Sequence, residues 1–284
     1  VRSAATTPGF VQAPNLSAQA DWSEAFAGRD VVVHTAARAH VLKETEINPL
    51  AVFREVNTAG TLNLARQAAA AGTHRFVFIS SIGVNGMSTS GGGSFTEQNP
   101  PAPHDHYALS KWEAEQGLWK IALETGMEVV ILRPPLVYGP GVKGNFLSML
   151  RVIQHGWPLP LASCENRRSF VGLTNLVSLL EKCVTHPAAA GQVFLAADGE
   201  DLSTPELLRR IARVLDRKAR LFPFPTTLLR WATRIVGSSS IYERLCGSLQ
   251  VDTGKASELL GWRPVLTLDQ ELERTARWFL GKQT

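Results

Sequence analysis

The chain has 284 residues, 44% of them hydrophobic and 19% charged, which is typical of one large globular domain or of a domain with a smaller lobe. Its net charge of +4 comes from Lys and Arg residues that are spread along the chain, so nucleic acid is not expected as a partner. No apolar run approaches the ~20 residues that cross a bilayer, and residues 1–15 lack a signal-peptide pattern, so we expect a cytoplasmic protein without membrane contact.

The cysteines, Cys164, Cys183 and Cys246, are odd in number and widely separated. Their spacing matches neither a metal-ligand motif nor a disulfide framework. We therefore expect no metal site and no disulfide framework, as is typical of the reducing cytoplasm.

Short apolar runs alternate with helical patterns through the first half of the chain. Runs rich in Val, Ile and Phe predict buried strands at residues 30–34, 75–80 and 128–132. Helical periodicity between them predicts helices at residues 53–71 and 106–125. Buried strands separated by helix-length segments indicate a doubly wound, parallel α/β sheet.

The pattern changes after Gly139, where Pro and Gly become frequent. Helices are predicted at residues 204–215 and 226–236, and one more strand at residues 192–196. These elements are separated by irregular stretches, so we expect a second lobe after the sheet domain.

Tyr107–Lys111 is the most informative segment for chemistry. A Tyr and a Lys four residues apart lie on one helix face. A free phenol has a pKa near ~10, and a neighbouring ammonium is expected to lower it, which suits a general acid/base acting on a hydroxyl. The same pair also occurs by chance on helix surfaces, so the segment needs supporting context.

Ser80 and Ser81 supply that context because they follow a predicted buried strand. A parallel sheet binds its ligands at the carboxyl ends of its strands, where a Ser hydroxyl would reach the same substrate oxygen as Tyr107. A Ser pair that merely caps the turn is the alternative. Ser81 and Tyr107 together favour a site.

With these residues in place, the chain resembles an extended short-chain dehydrogenase/reductase of the NAD-dependent epimerase/dehydratase family. The motifs that carry the resemblance are His34–Ala37, Asn57–Thr61, Ser80–Ser81, Tyr107–Lys111, Leu132–Pro140 and Leu259–Pro264. It implies a Rossmann-type dinucleotide-binding domain over residues 1–139. Residues 140–284 would then be mainly a smaller sugar-nucleotide-binding lobe, with some segments returning to the Rossmann sheet.

The resemblance implies roles for three catalytic residues. Tyr107 would be the acid/base, Lys111 would lower its pKa and hold the nicotinamide ribose, and Ser81 would orient the substrate hydroxyl. Asn57 would support the active-site backbone, although an Asn there is also typical of a helix N-cap.

The implied cofactor is NAD, with NADP left open because the residue that would choose between them falls near Val1–Arg2. Small side chains after the first strand would let the cofactor pass close by. The implied cofactor-binding residues are Asn15, Leu16, Ala36, Ala37, Ser80, Tyr107, Lys111 and Pro134.

A UDP-sugar is the implied substrate. The resemblance assigns its binding to Ser81, Asn145, Phe146, Arg168 and Arg244. A guanidinium matches phosphate oxygens in a bidentate fork, whereas a lone Arg is often only a solvated surface residue.

One family feature is missing, the glycine-rich Gly-x-x-Gly-x-x-Gly turn that meets the cofactor pyrophosphate. Val1–Ser3 reads as the end of the second strand, and Gly9 stands alone. We therefore expect the dinucleotide domain to be incomplete at its N-terminus, with about 30 or more residues upstream. A complete chain that has lost its cofactor is the alternative, and retention of the Ser, Tyr and Lys argues against it.

Within the family, two activities remain open, a UDP-sugar 4-epimerase and a reductase of 4-keto UDP-N-acetyl sugars, both of bacterial polysaccharide synthesis. The epimerase serves as the broader interpretation. A dehydratase is disfavoured because Ser80–Gly83 lacks the acidic residues typical of that class. A non-catalytic NAD(P)-binding relative is the alternative of another class. A homodimer through the two helices at residues 53–71 and 106–125 is a family-level expectation.

Overall fold

The computed structural model of the protein describes residues 12–39, 47–89, 91–235 and 239–281. The sequence expectations for Val1–Ser3 and Gly9 therefore fall outside the described residues. Two compact units are present. The first contains the described residues up to Gly86 with Pro100–Arg133 and Leu180–Phe194, and the second contains Met87–Asn99, Pro134–Leu179 and the described residues from Leu195 onward.

The strands confirm the α/β class. They are β1 (Val31–His34), β2 (Arg75–Ile79), β3 (Glu128–Arg133), β4 (Leu136–Tyr138), β5 (Arg168–Gly172), β6 (Val193–Leu195) and β7 (Asp201–Leu202). One sheet has the order β1-β2-β3-β6, and its β1–β2 and β2–β3 pairs are parallel. Because these strands are parallel, their carboxyl ends meet at one edge of the sheet.

Helices follow the strands as the alternating pattern predicts. They are α1 (Ser23–Phe26), α2 (Pro49–Phe53), α3 (Gly60–Ala70), α4 (His106–Thr125), α5 (Gly144–His155), α6 (Leu173–Thr185), α7 (Thr204–Val214), α8 (Thr226–Ile235), α9 (Ser239–Cys246), α10 (Gly254–Leu260) and α11 (Leu268–Gly281). Short 3-10 turns occur at Ile82–Val84 and Pro187–Ala189. No helix in the described ranges is both long enough and apolar enough to cross a membrane.

Helix α4 begins and ends where its sequence signals lie. The carboxylate of Asp105 accepts a 2.7 Å hydrogen bond from the backbone N–H of Ala108, which satisfies one of the free N–H groups of the first turn. Gly126 ends the helix in the left-handed conformation, at φ 75°, which favours glycine. The predicted bounds, 106–125, are confirmed.

The predicted helix over residues 53–71 is present, but it begins earlier, at Pro49, and contains a π-helical turn. The structure has α2, then a π-helical turn at Arg54–Ala59, then α3. A π turn holds one more residue than an α turn and is frequent at functional sites. Asn57, inside this turn, makes hydrogen bonds to Arg38 and to Ser110.

The core of the first unit lies between its sheet and α3 and α4. Phe76 and Phe78 of β2 and Ile131 of β3 are fully buried against Leu64 and Leu118. Full burial of each such side chain stabilises the fold by roughly 1.5–3 kcal/mol. This packing fixes α4 over the sheet.

The second unit has its own sheet, in the order β4-β5-β7, and its own core. Strand β5 is parallel to β4 and antiparallel to β7. Phe146 and Leu150 of α5 pack with Phe170, Leu207 and Leu272.

The structure also corrects the expectation for the cysteines. Cys164 and Cys246 form a disulfide, with their Cα atoms 5.3 Å apart although 82 residues separate them in sequence. Cys183 is free and buried. Sequence spacing does not reveal such a pairing, because the fold brings the two residues together.

Candidate active site

The sequence-predicted residues of the first unit gather at the carboxyl ends of β1 and β2. Ala36 and Ala37 follow β1, and Ser80 and Ser81 follow β2 directly. The parallel register sets His34, the last residue of β1, opposite Phe78. Ala36 is exposed and Ala37 partly exposed, so this end of β1 presents methyl groups rather than larger side chains.

Lys111 ties α4 to the end of β2. Its Nζ donates a 2.7 Å hydrogen bond to the carbonyl oxygen of Ile79 and lies 4.3 Å from the centre of the Phe78 ring. The lysine is only 1% exposed. Its ammonium is therefore held beside the Ser80–Ser81 pair.

Ser81 lies next to the first turn of α4. Its hydroxyl oxygen accepts a 3.1 Å hydrogen bond from the backbone N–H of Gly83, so the capping role that the sequence allowed is present. A Cβ atom placed on Gly83 would lie 3.3 Å from both the Ser81 hydroxyl and the Cβ of Ala108, the residue after Tyr107. The Ser81 O–H still has its own proton to donate.

Burial sets the charges of Tyr107 and Lys111. Burial, and then the Asp105 carboxylate, raise the pKa of Tyr107 to about 12. Burial lowers the pKa of Lys111 to about 7, while the negative charge of Glu115 acts in the opposite direction. The expectation that the ammonium lowers the phenol pKa is therefore not met, because burial and Asp105 dominate at Tyr107 and the Lys111 ammonium is hydrogen-bonded to Ile79.

Asn57 joins the loop after β1 to α4. Its side-chain oxygen accepts a 2.7 Å hydrogen bond from the N–H of Arg38, and its amide donates to the Arg38 carbonyl and to the Ser110 hydroxyl. Ser110 in turn donates to the carbonyl of Tyr107. Asn57 thus supports the backbone around the site and is not a helix N-cap, because it lies inside the π turn.

The other residues predicted to bind the cofactor are Asn15, Leu16 and Pro134. Asn15 is exposed. Leu16 packs closely on Gly60, because a Cβ atom added to Gly60 would lie 2.8 Å from the Leu16 side chain. Pro134 is buried directly after β3. Contacts of these three residues with a cofactor stay predictions.

In the second unit, two of the predicted substrate residues are brought together. Arg168 at the start of β5 donates hydrogen bonds to the carbonyl oxygens of Glu243 and Gly247, at the end of α9 and just after it. Burial lowers the pKa of Arg168, and the nearby positive charge of Arg244 adds to this effect. Arg244 itself is exposed.

The other two substrate predictions differ in exposure. Asn145 is exposed in the first turn of α5. The Phe146 ring is fully buried and stacks on Tyr138 at 5.1 Å, so only its backbone is left to contact a ligand.

The sequence analysis did not identify a buried ion pair that involves Glu115, whose charge acts on Lys111. Glu115 and Arg133 form a buried ion pair, and Glu115 also accepts a hydrogen bond from Ser80. The available signal was spacing, because Glu115 lies four residues after Lys111 and hence on the same face of α4.

Comparisons with known proteins identify the family of the chain. Residues 3–197 match the family model described as "NAD dependent epimerase/dehydratase family". A UDP-glucose 4-epimerase from Vibrio cholerae is 48% identical over 94% of this chain and 81% of its own length. An N-acetyl-α-D-glucosaminyl-diphospho-ditrans,octacis-undecaprenol 4-epimerase from Escherichia coli O157:H7 is 27% identical over 95% of this chain and 84% of its length.

A solved structure shares the fold. A DesIV double mutant, a dTDP-glucose 4,6-dehydratase from Streptomyces venezuelae with NAD bound, aligns with a TM-score of 0.74 and 25% identity over 92% of this chain and 76% of that chain. The family match covers more than half of the chain, and the alignment with the Vibrio protein extends over nearly all of it. The chain belongs to the NAD-dependent epimerase/dehydratase family of enzymes, which use NAD(P).

Proposed function

We propose that this enzyme epimerises a UDP-sugar at C4, using Tyr107, Lys111 and Ser81 as its catalytic residues. One observation carries the proposal: Lys111, on the α4 face that also bears Tyr107, is hydrogen-bonded to the end of β2 immediately before Ser80 and Ser81. The 48% identity with a UDP-glucose 4-epimerase supports the substrate and the reaction.

The residues at this sheet edge fit the nicotinamide half of NAD(P). Ala36 and Ala37 leave room above the end of β1. The Lys111 ammonium has three N–H donors, of which Ile79 takes one, so it suits a ribose diol. The described residues contain no Gly-x-x-Gly-x-x-Gly turn between a strand and a helix, and the pyrophosphate half is therefore assigned to none of them.

The chain's residues handle the proton in this mechanism. Bound NAD(P) would supply the hydride chemistry at the sugar C4. Tyr107 takes the proton from the C4 hydroxyl and later gives it back, while Ser81 donates a hydrogen bond that orients the same oxygen. Lys111, on the same face of α4, stabilises the negative charge that develops on the Tyr107 oxygen during the proton transfer. Epimerisation requires the site to retain the 4-keto sugar while it rotates.

In the second unit, the substrate diphosphate is assigned to Arg168 and Arg244. The positive charge of Arg244 lies close enough to lower the pKa of Arg168, and two neighbouring guanidinium groups create a positive field that favours a diphosphate. Asn145 is exposed and supplies an amide to the same ligand, and Phe146 supplies its backbone.

A 4-keto UDP-N-acetyl sugar reductase is the second candidate. It would use the same Tyr107 proton transfer but must release its oxidised cofactor after each turnover.

A homodimer through α3 and α4 is also proposed, because Leu123 at the end of α4 is 89% exposed although it is apolar. Light scattering that gave a monomer at micromolar concentration would contradict the dimer.

The deciding experiment uses protein expressed from its complete reading frame. It is incubated with UDP-glucose and UDP-N-acetylglucosamine, with and without added NAD, and the anomeric protons are followed by NMR. We expect the 4-epimer to appear and to be lost in Tyr107→Phe. No turnover of either sugar would reject the epimerase for these substrates, and consumption of a 4-keto sugar with NAD(P)H would then establish the reductase.

A further inference from the structure

A buried ion pair lies directly behind the proposed catalytic residues. Arg133, the last residue of β3, donates hydrogen bonds from Nε and Nη2 to the two carboxylate oxygens of Glu115, at 2.9 and 2.5 Å. Glu115 is 0% exposed and Arg133 4% exposed. The pair is bidentate, the geometry that makes an Arg–carboxylate contact strong and directional.

The pair connects four elements of the first unit. Glu115 accepts a 2.5 Å hydrogen bond from the hydroxyl of Ser80, at the end of β2. Arg133 also donates from Nη1 to the side-chain oxygen of Asn85, just after the 3-10 turn that Ser81 caps. The segment that carries Ser81 is therefore held on both sides.

Two successive residues of this segment are anchored on one face of α4. Ile79 accepts from Lys111 through its carbonyl, and Ser80 donates to Glu115 through its hydroxyl. Lys111 and Glu115 are one helical turn apart and Tyr107 is one turn before Lys111, so the two residues that precede Ser81 are anchored on the helix face that bears Tyr107.

We propose that Glu115, fixed by Arg133, is a positioning residue that holds the end of β2 on α4 and supplies the counter-charge to the Lys111 ammonium. This inference rests on the proposed function, in which Tyr107, Lys111 and Ser81 act on the sugar. Glu115 itself touches neither substrate nor cofactor in this assignment.

The charged and titratable groups around Lys111 indicate which of them balances its positive charge. Glu115 on α4 raises the pKa of Lys111 against the effect of burial. His34 on β1 has its pKa lowered to about 3 by burial and by Lys111, so it is neutral near pH 7. Tyr107 is the neutral phenol at that pH, and Arg133 on β3 is a cation. Glu115 is thus the anion that balances Lys111.

The test compares Glu115→Gln, which keeps the shape but removes the charge, with Glu115→Asp, which keeps the charge. Glu128→Gln is the control, because Glu128 forms an ion pair with Arg75 at the opposite end of β3 and is far more exposed. The pH dependence of kcat and KM is measured for the enzyme with NAD and UDP-sugar. The 13Cε resonance of Lys111, identified by its loss in Lys111→Met, is titrated without substrate.

Glu115→Gln is expected to lower kcat about tenfold near pH 8 with little change in KM, and to move the alkaline limb of kcat about one pH unit lower. Glu115→Asp should recover most of the limb position, and Glu128→Gln should leave it unchanged. The Lys111 titration should move in the same direction in Glu115→Gln. Ser80→Ala, which removes a single hydrogen bond, should lower kcat without moving the Lys111 titration.

A purely structural ion pair would give a different result. In that case Glu115→Gln would lower the amount of folded enzyme and leave both the kcat profile and the Lys111 titration in place, which would overturn the inference. If Glu115→Gln does not fold, Glu115→Gln/Arg133→Met, which also removes the cation that would lose its partner, takes its place. An unshifted Lys111 titration with unchanged kcat in that variant would overturn the inference. An inactive wild type, or an active Tyr107→Phe, would reject the proposed function, while a shifted titration would still support the charge role of Glu115.

Discussion

The Lys111 ammonium donates its 2.7 Å hydrogen bond to Ile79, a backbone carbonyl, although the lysine is almost completely buried. A buried ammonium is unfavourable unless a charge or several acceptors balance it. Here the protein keeps such a group at the end of a core strand, where its pKa falls to about 7. The position suits proton chemistry at neutral pH and is costly for the fold.

Replacement of Lys111 is predicted to lower the activity of the enzyme and to raise its stability. Lys111→Met should lower kcat by roughly 100-fold or more, because the phenolate of Tyr107 loses its cation. Between pH 7 and 10.5 the unfolded state binds more protons than the folded state, so wild-type stability rises with pH across that window. The variant lacks this dependence and should be about 2 kcal/mol more stable at pH 7, with a smaller advantage at pH 9.5.

Urea unfolding at the two pH values measures this difference. Lys120→Met, at an exposed lysine on the same helix, is the control and should change neither quantity appreciably. A Lys111→Met variant that is less stable than wild type at pH 7 would contradict the prediction.

His34 is predicted to make the protein acid-sensitive. It is buried, bonded to the Thr61 hydroxyl at 3.0 Å, and its folded-state pKa is about 3 against an ordinary value of 6.5. As pH falls below 6.5, His34 becomes protonated in the unfolded state but stays neutral in the folded state. The free energy of unfolding therefore decreases as the pH falls towards 3. From pH 7.5 to pH 5 this amounts to about 2 kcal/mol.

His34→Gln should therefore lose about 2 kcal/mol less than wild type between pH 7.5 and pH 5 in urea unfolding. His155→Gln, at an exposed histidine, should follow the wild-type curve. Parallel acid dependence of wild type and His34→Gln would show that this histidine does not titrate as described.

The disulfide is predicted to stabilise the second unit. Peptide mapping of protein purified without reductant should recover a Cys164–Cys246 cross-linked peptide. Cys164→Ser and Cys246→Ser should each lower the free energy of unfolding by about 3 kcal/mol, because a long loop is released in the unfolded state. Wild type with reductant should behave like these variants.

Cys246 ends α9, the helix that carries Arg244 and the Glu243 carbonyl bonded to Arg168. Loss of the cross-link should therefore also weaken UDP binding, measured by calorimetry. Cys183→Ala removes the buried free thiol and serves as the control, which should leave UDP affinity unchanged. Equal affinity in all variants would separate the disulfide from the proposed substrate residues.

Regular periodicity made much of the first unit predictable. Helix α4 has the predicted bounds because Asp105 and Gly126 give clear start and stop signals, and the strands are short runs of β-branched and aromatic residues. Tyr107 and Lys111 were identifiable because four-residue spacing on a helix fixes a shared face.

Other features were hidden because they depend on contacts distant in sequence. Asn57, in the π turn, is hydrogen-bonded to Arg38 and Ser110. The hydrophobic periodicity of the sequence is an average over several turns, so it does not reveal one extra residue in a single turn. The Glu115–Arg133 pair joins residues from different elements, and neither residue type signals burial by itself. The pKa of Tyr107 was expected in the wrong direction because the sequence does not give the degree of burial.

The π turn at Arg54–Ala59 limits which length changes this helix tolerates. Deletion of one residue there would restore an ordinary α-helix, yet it would rotate everything before the deletion by about 100° relative to α3. Asn57 would then leave Arg38 and Ser110, so the loop after β1 and the start of α4 would lose their common support. The shortened helix would be more regular, but the hydrogen bonds of Asn57 that join these two segments would be lost.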